Sequence, residues 1–311
     1  MATIRVHPPA EVACAGQDAA SPAWNTQGEG LRQLAIQLIA VDIDGTLVDS
    51  QSHIPNANKV ALRRAMDAGV EVVLVTGRRF ETAAPVATEL GLDLPIVVHN
   101  GALIRHAITG NVEYHQPLPL HVAAAVLPRI LAHQLDPIAH YALEDASMRM
   151  WLGPYADPHN AWLRRYVERN AHCVYRVPDL LAAMVAPPTQ LMCGGVPERV
   201  HPLRDALLEQ LRGRMRLLET SYPELGLTFL DIIHPECSKA HAIQRLAAAR
   251  GLMREQILAI GDNFNDLPML EYAGTAVVMG NAPPELRKAG FHVTDTNERA
   301  GLAKAVERFV G

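Results

Sequence analysis

Two carboxylates one residue apart, Asp42 and Asp44, close the apolar run Leu38-Ile39-Ala40-Val41 and are followed by Gly45. Side chains alternate along an extended chain, so the pair leans to one side while Ile43 points away. A carboxylate held rigidly at a strand end can attack a phosphoryl group as a nucleophile. A second one two residues on, in a looser loop, can pass a proton to and from the leaving oxygen. Alone, the Asp-Ile-Asp-Gly spacing suits equally a turn whose carboxylates cap nearby amides. Other segments repeat the pattern of an apolar run ending in polar residues beside glycine: Thr76-Gly77-Arg78, His99-Asn100-Gly101 and Gly261-Asp262-Asn263-Phe264-Asn265-Asp266. Such repetition points to a shared site.

Asp42, Asp44, Asp262 and Asp266 gathered in one cleft would repel each other, each close pair by about 4 kcal/mol at ~4 Å and an effective dielectric near ~20. A cation is required. Lys239 supplies one charge, and the remaining donors are oxygen only, with no His or Cys at ligand spacing. That set suits a hard divalent ion, Mg²⁺, shared between carboxylates and substrate phosphate. In this reading Asp42 is the nucleophile, kept ionised by the metal and Lys239, and Asp44 is the general acid and base, kept protonated by neighbouring negative charge. Thr76, in one turn with Gly77, and Asn265 donate to the phosphoryl oxygens, and Lys239 offsets their charge. Asp262 ligates the metal; Asp266 either ligates it or orients its waters. Arg78 either touches substrate or pairs with an acid, and Asn100 either takes part or braces the loop.

The elements that must position these groups read as an α/β unit. The short run at residues 38–41 lacks polar alternation, as a parallel strand covered on both faces does, and 70–75, 95–98, 227–233, 257–260, 275–279 and 292–294 read as further strands. Helical patterns at 56–69, 82–90, 238–246, 284–289 and 302–310 fall between them. Strand, helix, strand in succession implies right-handed crossovers and a Rossmann-like parallel sheet with helices on both faces. Ligands of such sheets collect beyond the carboxyl ends of the strands.

From 104 to 222 the rhythm changes. Helical patterns at 121–133, 160–168 and 198–212 alternate with strand-like runs at 138–143, 190–193 and 215–218, enough for a separate layered unit. It is expected to be an α/β cap domain inserted into a core of residues 34–103 and 223–311. Within it, Trp151, Tyr155, His159 and Trp162 either line a sugar pocket or pack. Residues 1–33 mix Ala, Pro, Gly, Gln and Ser without periodicity and are expected to form a poorly ordered tail.

The 311 residues carry a formal net charge of -5, and no basic cluster with interleaved aromatics suggests a nucleic acid partner. No apolar run approaches the roughly 20 residues that span a bilayer. Cys14, Cys173, Cys193 and Cys237 show neither zinc nor disulfide spacing. A cytoplasmic protein acting on small molecules, with no membrane partner, is the expectation.

Taken in order, Asp42-Ile43-Asp44-Gly45-Thr46-Leu47, Thr76-Gly77-Arg78, Asn100-Gly101-Ala102, Ser238-Lys239 and Gly261-Asp262-Asn263-Phe264-Asn265-Asp266-Leu267-Pro268-Met269-Leu270 resemble the motifs of the haloacid dehalogenase superfamily of phosphatases. The Cof-type branch, subfamily IIB, carries an α/β cap between the second and third motifs. The resemblance implies a Mg²⁺-dependent phosphatase with Asp42 as nucleophile, Asp44 as acid and base, Thr76 and Lys239 on the phosphate and Asp262 on the metal, joined there by the Asp44 backbone carbonyl. Ala240 departs from the glycine the family commonly has after the lysine, which bears on substrate fit. Small phosphorylated metabolites, sugar phosphates first, are the expected substrates. A phosphotransferase or mutase using the same aspartyl phosphate, or a catalytically silent phosphate-binding regulator, are the alternatives.

Overall fold

The chain's structure, a computed structural model, describes residues 3–7, 35–142, 148–154 and 160–311. Its first strand, β1 (Thr3–His7), is followed by β2 (Leu38–Val41), α1 (Asn56–Asp67), β3 (Glu71–Leu74), α2 (Phe80–Leu90) and β4 (Pro95–Val98). A hairpin of β5 (Leu103–His106) and β6 (Val112–His115) folds back on β4 as a small antiparallel sheet. Next come α3 (Leu120–Ala132), β7 (Ile138–Ala142), β8 (Met148–Leu152), α4 (Ala161–Arg169), β9 (Val174–Arg176), α5 (Leu180–Ala183), β10 (Gln190–Gly195), α6 (Pro197–Gln210), β11 (Arg216–Tyr222) and β12 (Leu227–Ile233). The chain closes with α7 (Lys239–Arg250), β13 (Ile257–Gly261), α8 (Leu267–Tyr272), β14 (Thr275–Val278), α9 (Pro284–Arg287), β15 (His292–Val293) and α10 (Gly301–Phe309).

The core sheet is parallel, in the order β15-β14-β13-β2-β3, and a Val75–Val97 bridge joins β4 alongside β3. Every residue of β2 is buried because both faces are covered. Ile39 and Val41 pack with α1, α2 and α10. Leu38 and Ala40 pack with α7 and α8. β2 sits between β13 and β3, where the strand order reverses, and its carboxyl end therefore opens at the crevice in which such sheets bind ligands.

The cap is a seven-stranded sheet, β1-β11-β12-β10-β7-β8-β9. Leu217 of β11, Leu230 and Ile232 of β12, and Leu191 and Cys193 of β10 face α3 and α6. The alternate residues Leu218, Thr220 and Tyr222 of β11 and Phe229 and Asp231 of β12 point the other way.

Three expectations are corrected here. The run 227–233 does not rejoin the core; as β12 it pairs antiparallel with β10 and β11, the latter over seven residues. A mostly buried central strand of an antiparallel sheet is as rich in apolar residues as a parallel core strand, so only pairing distinguishes them. The hairpin at 103–115 stays on β4 of the core, so the cap begins later than residue 104. Finally, Thr3–His7 lies within the expected tail yet forms the edge strand of the cap sheet.

Candidate active site

Asp42 immediately follows β2, and its N–H donates to the Ile260 carbonyl at 3.1 Å, fastening it to β13. Gly45, at φ 80°, turns the chain so closely past the β13 loop that a Cβ would lie 2.3 Å from Asp262 Oδ2. Only glycine permits that approach. In the same loop, Asp266 Oδ2 accepts the N–H groups of Asp262 at 2.9 Å and Asn263 at 3.0 Å, which curls the segment around its own carboxylate. Lys239 opens α7 behind Ser238, whose hydroxyl accepts the His241 N–H at 3.1 Å as the expected N-cap.

From there the fully buried Lys239 Nζ donates to Asp42 Oδ1 at 2.5 Å and to Asp266 Oδ1 at 2.6 Å. Oxygens of Asp42, Asp262 and Asp266 lie within 4.8 Å of one another. Two buried carboxylates thus share one ammonium, with a third beside them. With the protein groups alone, burial and then the charge of Asp266 push Asp42 up to about 7 against the pull of Lys239, and burial with the charges of Asp42 and Asp266 also raises Asp262. Burial works against the Lys239 ammonium, but Asp266 and Asp42 hold it charged. Adjacent, buried, oxygen-only donors with an excess of negative charge fit Mg²⁺.

Asp44 stands apart from that triad. Its side chain is 60% exposed, and Arg78 grips it with both arms, Nε at 2.8 Å and Nη2 at 2.6 Å. Of the two roles open to Arg78, the structure shows the pairing with an acid. The expected surroundings of Asp44 are corrected accordingly: its nearest charged neighbour is a cation from the β3 exit, because the turn after β2 carries the carboxylate outward.

Thr76 is buried after β3, where its hydroxyl accepts the Arg78 N–H at 3.1 Å. His99 and Asn100, both at left-handed φ of 50° and 54°, bring Asn100 Oδ1 to accept Asn265 Nδ2 at 3.1 Å. Asn100 therefore braces the β13 loop. Non-glycine residues in this conformation are costly and cluster at functional sites. At Gly101, φ +97°, a Cβ would meet the Ser238 carbonyl oxygen at 2.2 Å, so this turn presses directly on the start of α7.

A cavity of about 350 Å³ lies over these groups, with Asp42, Asp44, Thr76, Gly77, Arg78, Asn265 and Asp262 on the core side. Leu218, Thr220, Tyr222 and Asp231 of the cap sheet close it, together with Ile4 of β1. Burial pushes Asp231 up to about 7. These wall residues carry no local motif, because sheet pairing alone selects them. Asn281 also meets the site: its Nδ2 donates to the Gly45 carbonyl at 2.8 Å and to Asp262 Oδ2 at 3.3 Å, and Gly280-Asn281 after β14 repeats the glycine-plus-polar strand exit that signals it in the sequence. Thr46 Oγ1 also donates to Asp262, at 3.3 Å. Trp162 packs on Phe229 beside the cavity, and Trp151 packs on Tyr141, whereas Tyr155 and His159 lie outside the described residues.

Comparison with known proteins shows what the chain is similar to. The profile of the haloacid dehalogenase-like hydrolases matches residues 39–306. The 5-amino-6-(5-phospho-D-ribitylamino)uracil phosphatase YitU of Bacillus subtilis is 27% identical over 273 residues, covering 88% of this chain and 97% of the relative. The pyridoxal phosphate phosphatase YbhA of Escherichia coli is 27% identical over 288 residues, covering 88% and 98%. Among solved structures, a haloacid dehalogenase-like hydrolase from Bacteroides thetaiotaomicron superposes with a TM-score of 0.73 at 28% identity, covering 88% of this chain and 99% of that one. Among the described residues, no helix is long and apolar enough to cross a membrane.

Proposed function

Since the chain belongs to the haloacid dehalogenase-like hydrolases and is an enzyme of their phosphatase type, we propose that it hydrolyses phosphoric monoesters of small metabolites through a phosphoryl group carried on Asp42. The observation that supports this most directly is the bridge of Lys239 between Asp42 and Asp266 beneath a cavity that Asp44 and Thr76 also line. The Asp42 carboxylate attacks phosphorus, and the bond from phosphorus to the leaving alcohol breaks as Asp44 delivers a proton to that oxygen. Water then attacks the same phosphorus, losing a proton to Asp44, and the bond to Asp42 breaks to release phosphate. Lys239, Thr76 and Asn265 face the charge on the phosphoryl oxygens. Magnesium held by Asp42, Asp262 and Asp266, with the Asp44 backbone carbonyl, would neutralise these acids and draw charge from the phosphoryl group.

Acid quenching after brief exposure to a ³²P-labelled ester with Mg²⁺ tests the reading. Label is expected on the wild-type protein and absent from Asp42→Asn, whose phosphate release should fall by about a thousandfold or more. Full turnover by Asp42→Asn, or transfer of the label to a second metabolite in place of free phosphate, would overturn it. The substrate panel takes in sugar phosphates and the phosphates named for the two relatives.

A further inference from the structure

Thr220, Tyr222 and Asp231, which close the cavity over Asp42, also line a second cavity of about 370 Å³, whose further walls are Trp162, Met192, Leu225, Leu227 and Phe229. The register of the cap sheet explains the junction. Asp231 on β12 stands opposite Leu218 on β11 and Met192 on β10, and Phe229, two residues back on the same face, stands opposite Thr220 and Gly194. A Cβ at Gly194 would lie 2.1 Å from the Phe229 ring, so the missing side chain is what lets that ring lie across β10. Trp162 then packs against Phe229 with centroids 4.2 Å apart at 52°, and Tyr222 meets its edge at 5.7 Å and 77°. Trp162 is itself anchored. It sits one residue into α4, whose N-cap Asn160 donates from Nδ2 to the Gly194 carbonyl at 3.3 Å.

Asp231 is positioned just as firmly. Gln190 Nε2 donates to its Oδ1 at 3.1 Å, while Gln190 Oε1 accepts from His99 Nδ1 at 2.9 Å. His99 belongs to the strained turn that also places Asn100, so a link runs from the catalytic loops to this one carboxylate. An aromatic and aliphatic wall whose one carboxylate is held in place, with only the Thr220 and Tyr222 hydroxyls beside it, is selective in a definite way. A sugar entering it would bury several hydroxyls with few partners, and each unmatched group weakens binding. A flat ring bearing one or two donors would be matched.

We propose that this second cavity is the leaving-group site, and that it selects phosphate esters whose alcohol carries a flat, hydrogen-bond-donating ring, stacked beside Trp162, Tyr222 and Phe229 with its donor on Asp231. The proposal rests on the phosphatase reading and reorders the substrate panel, placing ring-bearing esters ahead of plain sugar phosphates. Three probes separate the steps: acetyl phosphate, whose leaving group is too small to reach the second cavity, ribose 5-phosphate, and pyridoxine 5′-phosphate. The wild-type kcat/KM for pyridoxine 5′-phosphate should exceed that for ribose 5-phosphate by about tenfold or more. Asp231→Asn and Trp162→Phe should each lower the pyridoxine 5′-phosphate value about tenfold more than the acetyl phosphate value. Equal losses on all three probes, or a preference for ribose 5-phosphate, would overturn the assignment. Binding measured on Asp42→Asn protein keeps the two readings apart. If acetyl phosphate is not turned over but pyridoxine 5′-phosphate still binds more tightly than ribose 5-phosphate and loses that advantage in Asp42→Asn/Asp231→Asn, the site stands and the phosphatase reading falls.

Discussion

Asn281 holds the Gly45 carbonyl and the Asp262 carboxylate with one amide, while its Oδ1 accepts the Asn297 N–H at 3.0 Å. Asn297 in turn donates to the Val48 carbonyl at 3.0 Å, so a short chain of amides fixes the loop after β2 against the loop after β13. Groups that orient a ligating carboxylate commonly govern metal affinity about 10–100-fold. Asn281→Ala should therefore raise the Mg²⁺ concentration for half-maximal phosphate release by about that factor, with less effect on the rate at saturating metal. A magnesium titration of the variant checks it, and an unchanged half-saturation point would mean that Asn281 only ties loops together. The grip of Arg78 on Asp44 is a residue-scale fact of the same kind: a long-range partner sets where a motif side chain rests.

β1 is an edge strand whose two sides have different work. On one side it pairs with β11 from Thr3 opposite Ser221 to His7 opposite Leu217. On the other, the Ile4 N–H donates to Asn263 Oδ1 at 3.0 Å, next to Asp262. Val6 adds an apolar contact to the small cluster of Leu218, Ile233 and Cys237. Removing residues 1–8 would leave the β11 edge open to pairing with another chain, a recognised route to association. The expected outcome is a fall in Tm of about 5 °C, accompanied by larger species in light scattering. A truncated chain with unchanged Tm and a single monodisperse peak would show that the strand contributes nothing to the cap.

Core and cap meet around buried imidazoles. Burial holds His99 down to about 4 and lowers His140 well below its ordinary value, and the two rings pack edge to face at 5.7 Å. Both stay neutral in the fold, whereas the unfolded chain takes up protons near pH 6.5. Their contribution to stability is therefore present at neutral pH and lost as pH falls toward 4. Asp231, raised to about 7 by burial, works in the opposite sense, destabilising the fold as pH rises through the same window. The difference between wild type and His99→Asn isolates the imidazole: between pH 7.5 and pH 5.0, urea unfolding should show the variant gaining about 2 kcal/mol relative to wild type. Parallel pH profiles for the two proteins would exclude a buried neutral His99.

Residue order alone determined which polar residues stand at the strand ends that open on the cleft. Asp42, Thr76, Lys239 and Asp262 are all placed by a strand exit or a helix start only a few residues long, so side-chain alternation, glycine turns and the Ser238 cap were enough to read their positions. Tertiary structure decided the rest: that residues 227–233 belong to the cap, that Thr3–His7 completes its edge, that Arg78 takes Asp44, and that Asn281 and Asp231 face the site. Each of these depends on which distant segments pair and in what register. A largely apolar stretch has much the same composition whichever sheet it joins, and a lone amide or carboxylate acquires its role only from the neighbour brought against it.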